Sequence, residues 1–120
     1  MRALVVDDSS AMRAVLGMTL KRKGIEVLQA QDGFEALNVL SGAGPLDLVL
    51  IDWNMPGMNG LELLTRIRQQ PAYAGTQILM VTTETGTGQM ADAIAAGANE
   101  YIMKPFTAEI VYDKLELLGL

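Results

Sequence analysis

The sequence contains neither cysteine nor histidine. The absence of cysteine excludes disulfide bonds, thiolate nucleophiles and thiolate metal sites, and it favours an intracellular, reducing compartment. Without histidine the chain cannot use an imidazole as a general base or a metal ligand, and it cannot carry a phosphohistidine. Any chemistry in this chain must therefore depend on carboxylates, hydroxyls and amines.

Basic charge and long apolar segments are also scarce. The chain has 9 Lys and Arg against 14 Asp and Glu, and the basic residues are scattered except at Lys21–Lys23. That triplet precedes Gly24 and is typical of the last turn of a helix, so no basic surface for nucleic acid is predicted. The apolar start, Met1–Val6, is too short for a signal peptide, and no apolar run reaches membrane-spanning length. We therefore expect a cytoplasmic protein that binds neither nucleic acid nor membrane.

The sequence does contain a regular alternation of short apolar strands and amphipathic helices. With 120 residues, 50% of them hydrophobic, the chain can bury a core, and we expect a single domain over residues 1–120. The predicted strands are Arg2–Val6, Ile25–Ala30, Leu46–Ile51, Gln77–Val81 and Tyr101–Met103. Each precedes a helical pattern, and this alternation predicts an α/β fold with a parallel sheet and helices on both faces.

Capping residues and apolar spacing locate the helices. The candidate N-caps are Ser9 or Ser10, Asp32, Asn59 and Thr107. The apolar positions of the first helix are Met12, Val15, Leu16, Thr19 and Leu20, and those of the fourth are Met90, Ala91, Ile94, Ala95 and Ala98. Gly86 and Gly88 lie at the start of the fourth helix, and each should weaken it by about 1 kcal/mol relative to alanine.

Carboxylates end two of the predicted strands. Asp7 and Asp8 follow the first strand, and Asp52 follows the third. Because the carboxyl ends of parallel strands meet at one sheet edge, where open α/β sheets bind ligands, we expect these three side chains to form a cluster. Such a cluster suits a hard divalent cation such as Mg²⁺. The alternative for Asp7 and Asp8 is a helix N-cap with an extra acid in the first turn.

Two further polar residues end strands at the same predicted edge. Lys104 follows the fifth strand and can neutralise oxygens of a phosphoryl group, although a solvated surface lysine is the alternative. Thr82 follows the fourth strand and can donate a hydrogen bond to such an oxygen. Its alternatives are an ordinary strand residue, or replacement in that role by Thr83. With Asp52 as the acceptor, these groups predict phosphoryl transfer, in which positioning and charge neutralisation provide most of the catalysis.

The chain resembles response-regulator receiver domains from Arg2 to about Leu118. The residues that carry the resemblance are Asp7 and Asp8, Asp52 within DWNMPGMNG, Thr82, and Lys104, Pro105 and Phe106. The DWNMP motif and the single-domain length most resemble single-domain regulators of chemotaxis. The resemblance implies a flavodoxin-like, doubly wound five-stranded parallel sheet in the order 2-1-3-4-5 with five helices. That order comes from the family, because nothing in this sequence orders the strands.

The resemblance also implies roles at the carboxylate cluster. Asp52 resembles the phosphoacceptor that takes a phosphoryl group from the phosphohistidine of a histidine kinase, and Lys104 resembles the lysine that contacts that group. Asp8, Asp52 and the main-chain carbonyl of Asn54 resemble direct Mg²⁺ ligands, and Asp7 resembles an outer ligand acting through water. On this basis we expect a monomeric signalling domain and not an enzyme with a substrate of its own.

The implied output is a surface change that another protein reads. Thr82 and Tyr101 are similar to the coupled switch pair of the family, and Pro105 is similar to a proline joined to the preceding lysine by a cis bond. We expect the downstream protein to bind the face formed by the fourth helix, the fifth strand and the fifth helix. The acids of the fifth helix, which favour a partly basic partner, are Glu109, Asp113 and Glu116.

Three other functions remain as alternatives. A Mg²⁺-dependent phosphohydrolase with an aspartyl-phosphate intermediate would share Asp52, the metal and Lys104, although the chain offers no cap domain and no obvious second acid. The segment Gly86–Ala91 matches a dinucleotide-binding fingerprint, but it follows the fourth strand and not the first. A flavodoxin-like fold can also bind FMN.

Overall fold

The structure, a computed structural model, describes residues 1–83 and 87–120. The elements in order are β1 (Arg2–Val6), α1 (Ser10–Lys21), β2 (Glu26–Ala30), α2 (Gly33–Ala43), β3 (Leu48–Asp52), α3 (Gly60–Arg68), β4 (Gln77–Thr82), α4 (Thr87–Ala96), β5 (Glu100–Met103) and α5 (Ala108–Leu117). A short 3-10 helix, Pro71–Tyr73, separates α3 from β4. Every strand bound lies within two residues of its predicted position.

The five strands form one parallel sheet in the order β2-β1-β3-β4-β5. This confirms the order that the family resemblance implies, and with it the doubly wound α/β fold. The chain runs outward from β1 to β2 and then returns past β1 to β3. In open α/β sheets the crevice at such a reversal, at the carboxyl ends of the strands, is where ligands bind.

Apolar side chains cover both faces of the sheet. On one face, α1 and α5 pack through Leu16, Leu20, Val111 and Leu115 against alternate residues of the strands. On the other face, α2, α3 and α4 pack against the intervening strand residues, and Leu64 and Ala93 are among the buried contacts. Because both faces are covered, all five residues of β3 are buried, and the apolar run Leu48–Ile51 supplies four of them.

Side-chain caps fix the starts of four helices. Ser9 caps α1 by accepting a hydrogen bond from the Met12 amide, which settles the choice between Ser9 and Ser10. Asp32, Asn59 and Thr107 cap α2, α3 and α5 through the same kind of bond, as predicted. Each cap satisfies an amide that has no partner inside its helix, so it sets where the preceding loop stops.

Two predicted apolar stripes are partly wrong. Val15 of α1 is 53% exposed, and Ile94 of α4 is 50% exposed. Among the α4 side chains whose burial the structure describes, the buried one is Ala93, and the next two residues, Ile94 and Ala95, face outward. Alanine lies on several sides of this helix, so apolar spacing alone does not define one inner face.

Part of one sequence motif falls outside the described residues. Gly86, the first residue of the Gly86–Ala91 fingerprint, lies outside the part of the chain that the structure describes, whereas Gly88 is in the first turn of α4. In the described parts, no helix is both long and apolar enough to span a bilayer.

Candidate functional site

The register of the sheet brings the polar strand ends together. Val6 of β1 pairs with Ile51 of β3, so the next residues along the chain, Asp7 and Asp52, lie side by side at the carboxyl edge. On the other side of β3 the main-chain NH of Lys104 donates to the carbonyl of Thr82 at 2.7 Å. Asp7, Asp52, Thr82 and Lys104 therefore end four neighbouring strands at one edge, as the sequence predicts.

Asp7, Asp8 and Asp52 form a carboxylate cluster. Each can place one carboxylate oxygen within 4.8 Å of those of the other two. Asp7 and Asp52 are buried, whereas Asp8 is exposed, so the cluster opens to solvent on one side. An all-oxygen donor set with a solvent-facing side suits Mg²⁺, which keeps several of its waters. The residues present therefore fit this cation.

The alternative role of Asp7 and Asp8 as a helix cap does not match the geometry. Ser9 occupies the N-cap of α1. The Oδ1 of Asp7 instead accepts a hydrogen bond from the Ser9 amide at 2.9 Å, which fixes the carboxylate against the start of the helix. This bond leaves Oδ2 of Asp7 directed at the neighbouring charges of the site.

Lys104 lies between the two buried carboxylates. Its Nζ is 3.3 Å from Oδ2 of Asp7 and 3.3 Å from Oδ1 of Asp52, and its side chain is only 17% exposed. It is therefore not a solvated surface lysine. Burial raises the pKa of the Asp52 carboxyl and the Asp7 carboxylate raises it further, whereas Lys104 and a hydrogen bond from the Asn54 main chain oppose the rise. Asp52 thus carries a charge that its surroundings only partly stabilise.

Thr82 and Thr83 differ in burial. Thr82 is 2% exposed at the end of β4, whereas Thr83 is exposed. The Thr82 hydroxyl donates to Oε1 of Gln89 in α4 at 3.2 Å. Thr82 therefore contacts the helix that covers this face of the sheet.

Tyr101 lies on the same face as Thr82. It pairs with Met80 of β4, two residues before Thr82, and its half-buried ring packs against the core beneath α4. Lys104 and Pro105 follow, and the peptide bond between them is cis, which is the conformation that the resemblance implies. Asn54 is exposed in the loop after β3.

Sequence reasoning missed several residues around the site. The Arg13 guanidinium donates to the Asp7 carbonyl at 2.6 Å. Gly60 passes so close to the end of β3 that a Cβ would lie 2.5 Å from the Asp52 carbonyl oxygen. Lys114 lies over the Tyr101 ring. The only sequence signal for these contacts was the glycine itself, because the others join elements whose relative orientation the sequence does not give.

Comparisons with known proteins identify the family of this chain. The family model of the response regulator receiver domain matches residues 3–116. The chemotaxis protein CheY homolog of Campylobacter jejuni subsp. jejuni is 46% identical over 117 residues, which are 97% of this chain and 90% of that protein. Chemotaxis protein CheY1 of Helicobacter pylori is 44% identical over 119 residues, which are 98% of this chain and 96% of that protein.

A solved structure shares the fold as well. The chemotaxis response regulator CheY4 of Vibrio cholerae is 38% identical and superposes with a TM-score of 0.91, covering 98% of this chain and 97% of that one. The family match and these relatives extend over nearly the whole chain. The chain therefore belongs to the response regulator receiver domain family.

Proposed function

We propose that Asp52 is the phosphoacceptor of this receiver domain. The observation that carries the proposal is the position of Lys104, whose ammonium lies 3.3 Å from Oδ1 of Asp52 and 3.3 Å from Oδ2 of Asp7. A cation held between two buried carboxylates is placed to neutralise phosphoryl oxygens that arrive at Asp52. The predicted roles of Asp7, Asp8 and the Asn54 carbonyl as holders of Mg²⁺ belong to the same proposal.

The reaction needs little from the protein beyond position and charge. An oxygen of the Asp52 carboxylate attacks the phosphorus of a phosphohistidine, the phosphorus–nitrogen bond breaks, and the imidazole leaves and takes up a proton. A carboxylate and a phosphoryl group repel each other, and Lys104 lowers that repulsion on one side. Asp8, Asp52 and the Asn54 carbonyl would hold Mg²⁺ directly and Asp7 would hold it through water, and the bound cation would supply the remaining charge neutralisation.

Thr82 connects Asp52 to the surface. When its hydroxyl turns to a phosphoryl oxygen, it gives up the hydrogen bond to Gln89 of α4. Tyr101 lies on the same face of the sheet, and its ring and hydroxyl tolerate both an inner and an outer orientation. The two states that the phosphoryl group selects are therefore alternative arrangements of Thr82, Tyr101 and the start of α4.

The face formed by α4, β5 and α5, where we expect the downstream protein to bind, combines apolar and acidic side chains. Ile94 of α4 and Met103 of β5 are exposed by 50% and 36%, and α5 adds the exposed Glu109 and Asp113. An exposed apolar area flanked by acids suits a protein partner with apolar and basic contacts. We propose a histidine kinase as the phosphoryl donor and, because the relatives above are named as chemotaxis proteins, a chemotaxis component as the partner.

Intact-mass measurement tests the phosphoacceptor directly. After incubation with acetyl phosphate and Mg²⁺, the protein should gain the mass of one phosphoryl group, and Asp52→Asn should gain none. The matched control is Asp113→Asn, which removes an exposed acid of α5 and should leave the gain unchanged. A full gain in Asp52→Asn would contradict the assignment. Turnover of a small phosphoester would instead identify the phosphohydrolase.

A further inference from the structure

Glu100 and Lys114 form an ion pair beside Tyr101. The Lys114 ammonium is 3.1 Å from Oε1 of Glu100, and the two side chains are 24% and 23% exposed. The same Glu100 oxygen accepts a hydrogen bond from the Tyr101 amide at 3.1 Å. One carboxylate oxygen therefore fixes both the main chain at Tyr101 and the ammonium that reaches it from α5.

The ammonium is also in contact with the Tyr101 ring. Lys114 Nζ lies 4.8 Å from the ring centroid, which is within the range of a cation–π interaction. β5 is an edge strand, α5 packs on one face of the sheet, and Tyr101 packs against the core of the opposite face. Lys114 therefore reaches round the sheet edge, and its attraction draws the ring toward that edge.

We infer that Glu100 and Lys114 are positioning residues that hold the Tyr101 ring in its half-buried position beside the sheet edge, an inference that rests on the proposed switching role of Tyr101. Glu100 restrains the ammonium, and the ammonium favours the ring position at the sheet edge over a position closer to Thr82. A contact of this type changes the ratio of two ring orientations by about two- to fivefold. The pair therefore affects what fraction of the unphosphorylated protein has the Tyr101 ring closer to Thr82.

Fluorine NMR of protein labelled with 3-fluorotyrosine measures the ring position. The chain has 3 tyrosines, and Tyr101→Phe identifies the resonance of interest. A soluble gadolinium chelate broadens exposed rings more than buried ones. In Lys114→Met, which keeps an unbranched apolar side chain, we expect less broadening at Tyr101 than in the parent. Lys114→Arg should retain the parent value, because a guanidinium can bond the carboxylate and stack on the ring.

Glu100→Gln gives an independent test. It leaves the lysine in place but weakens its restraint, so broadening at Tyr101 should fall by a smaller amount. The matched control is Lys23→Met, because Lys23 lies 4.6 Å from the centroid of the Tyr112 ring. That variant should change the Tyr112 resonance and leave Tyr101 as in the parent. Circular dichroism verifies that each variant is folded, and Glu100→Gln decides the question if Lys114→Met does not fold.

The results separate this inference from the proposed function. Unchanged or increased broadening at Tyr101 in folded Lys114→Met, or an equal change in Lys23→Met, would overturn the positioning role. These measurements use unphosphorylated protein and do not depend on Asp52. If acetyl phosphate fails to modify the parent protein, the phosphoacceptor proposal fails, whereas the broadening at Tyr101 still reports on Glu100 and Lys114.

Discussion

At the scale of single residues, the site is governed by an excess of negative charge. Asp7 and Asp52 are both buried, and Lys104 provides one positive charge between them. Asp8 adds a third carboxylate on the exposed side. Without a bound cation the carboxylates repel one another, and a cation would relieve that repulsion. Residues at functional sites commonly reduce the stability of the fold in this way. Two substitutions test this balance.

Asp52→Asn should raise the free energy of unfolding at neutral pH and have less effect in acid. The raised pKa of Asp52 means that the native state binds this proton more tightly than the unfolded chain, so ionisation costs stability above that pKa. The cost disappears as pH falls through the raised pKa toward the ordinary value of 3.8. It amounts to about 1.4 kcal/mol for each tenfold difference in proton affinity. Denaturant unfolding in EDTA over a pH series measures it.

The control for this pH dependence is Asp113→Asn, which removes an exposed carboxylate outside the site. Lys104 keeps Asp7 as a partner in Asp52→Asn, so the variant does not leave an unpaired ammonium. An advantage for Asp52→Asn that stays constant or grows as pH falls would contradict the account.

Asp8→Asn should raise the melting temperature in EDTA and abolish Mg²⁺ binding. The change removes like-charge repulsion from the cluster, and Ser9, not Asp8, caps α1. Because Asp8 is exposed, the gain should be below about 1 kcal/mol. In scanning calorimetry, Mg²⁺ should stabilise the parent but not the variant, since only the native parent binds it. A lower melting temperature in EDTA would show that Asp8 stabilises the start of α1.

At the scale of elements, the loop between β3 and α3 positions Asp52. The Gly60 amide donates to the Trp53 carbonyl at 2.9 Å, which closes the loop at its base. A Cβ on Gly60 would lie 2.5 Å from the Asp52 carbonyl oxygen and 2.8 Å from the Trp53 Cα. Both are main-chain atoms at the end of the strand, so neither can move without moving Asp52.

Gly60→Ala should therefore destabilise the fold and slow phosphorylation together. Overpacking of this kind costs about 1–3 kcal/mol, and the displaced strand end should lower the rate of modification by acetyl phosphate. Denaturant unfolding and timed intact-mass measurements follow the two effects. Gly75→Ala is the control, because a Cβ there meets nothing within 4 Å. Equal behaviour of the two variants would show that the close approach at Gly60 is relieved without cost.

At the scale of the whole molecule, the sequence predicts the positions of the helices and strands better than it predicts which side of each helix is buried. Buried parallel strands are continuous apolar runs, and caps are local, so strand positions and helix starts follow from short segments. The inner face of α4 does not, because its small apolar residues lie on several sides, and the exposed Ile94 shows the result. The order of the strands came from the family, since alternation alone does not fix it.

The sequence likewise predicts which residues form the site but not the contacts between their side chains. Asp7, Asp52, Thr82 and Lys104 were identifiable because parallel strands bring their carboxyl ends to one edge. The two contacts of Lys104 join residues 97 and 52 positions apart, and they depend on register and rotamers that a sequence does not contain. The contact between Thr82 and Gln89 depends likewise on how α4 is oriented.

The most direct test of the account is whether a phosphoryl mimic at Asp52 changes the distant face through Thr82. Amide NMR spectra with Mg²⁺, with and without beryllofluoride, measure this in the parent and in Thr82→Ala. We expect shifts in Thr87–Ala96 and at Tyr101 in the parent, and we expect them to vanish in the variant while those near Asp52 persist. Shifts confined to the loops around Asp8 and Asp52 in the parent would contradict the coupling.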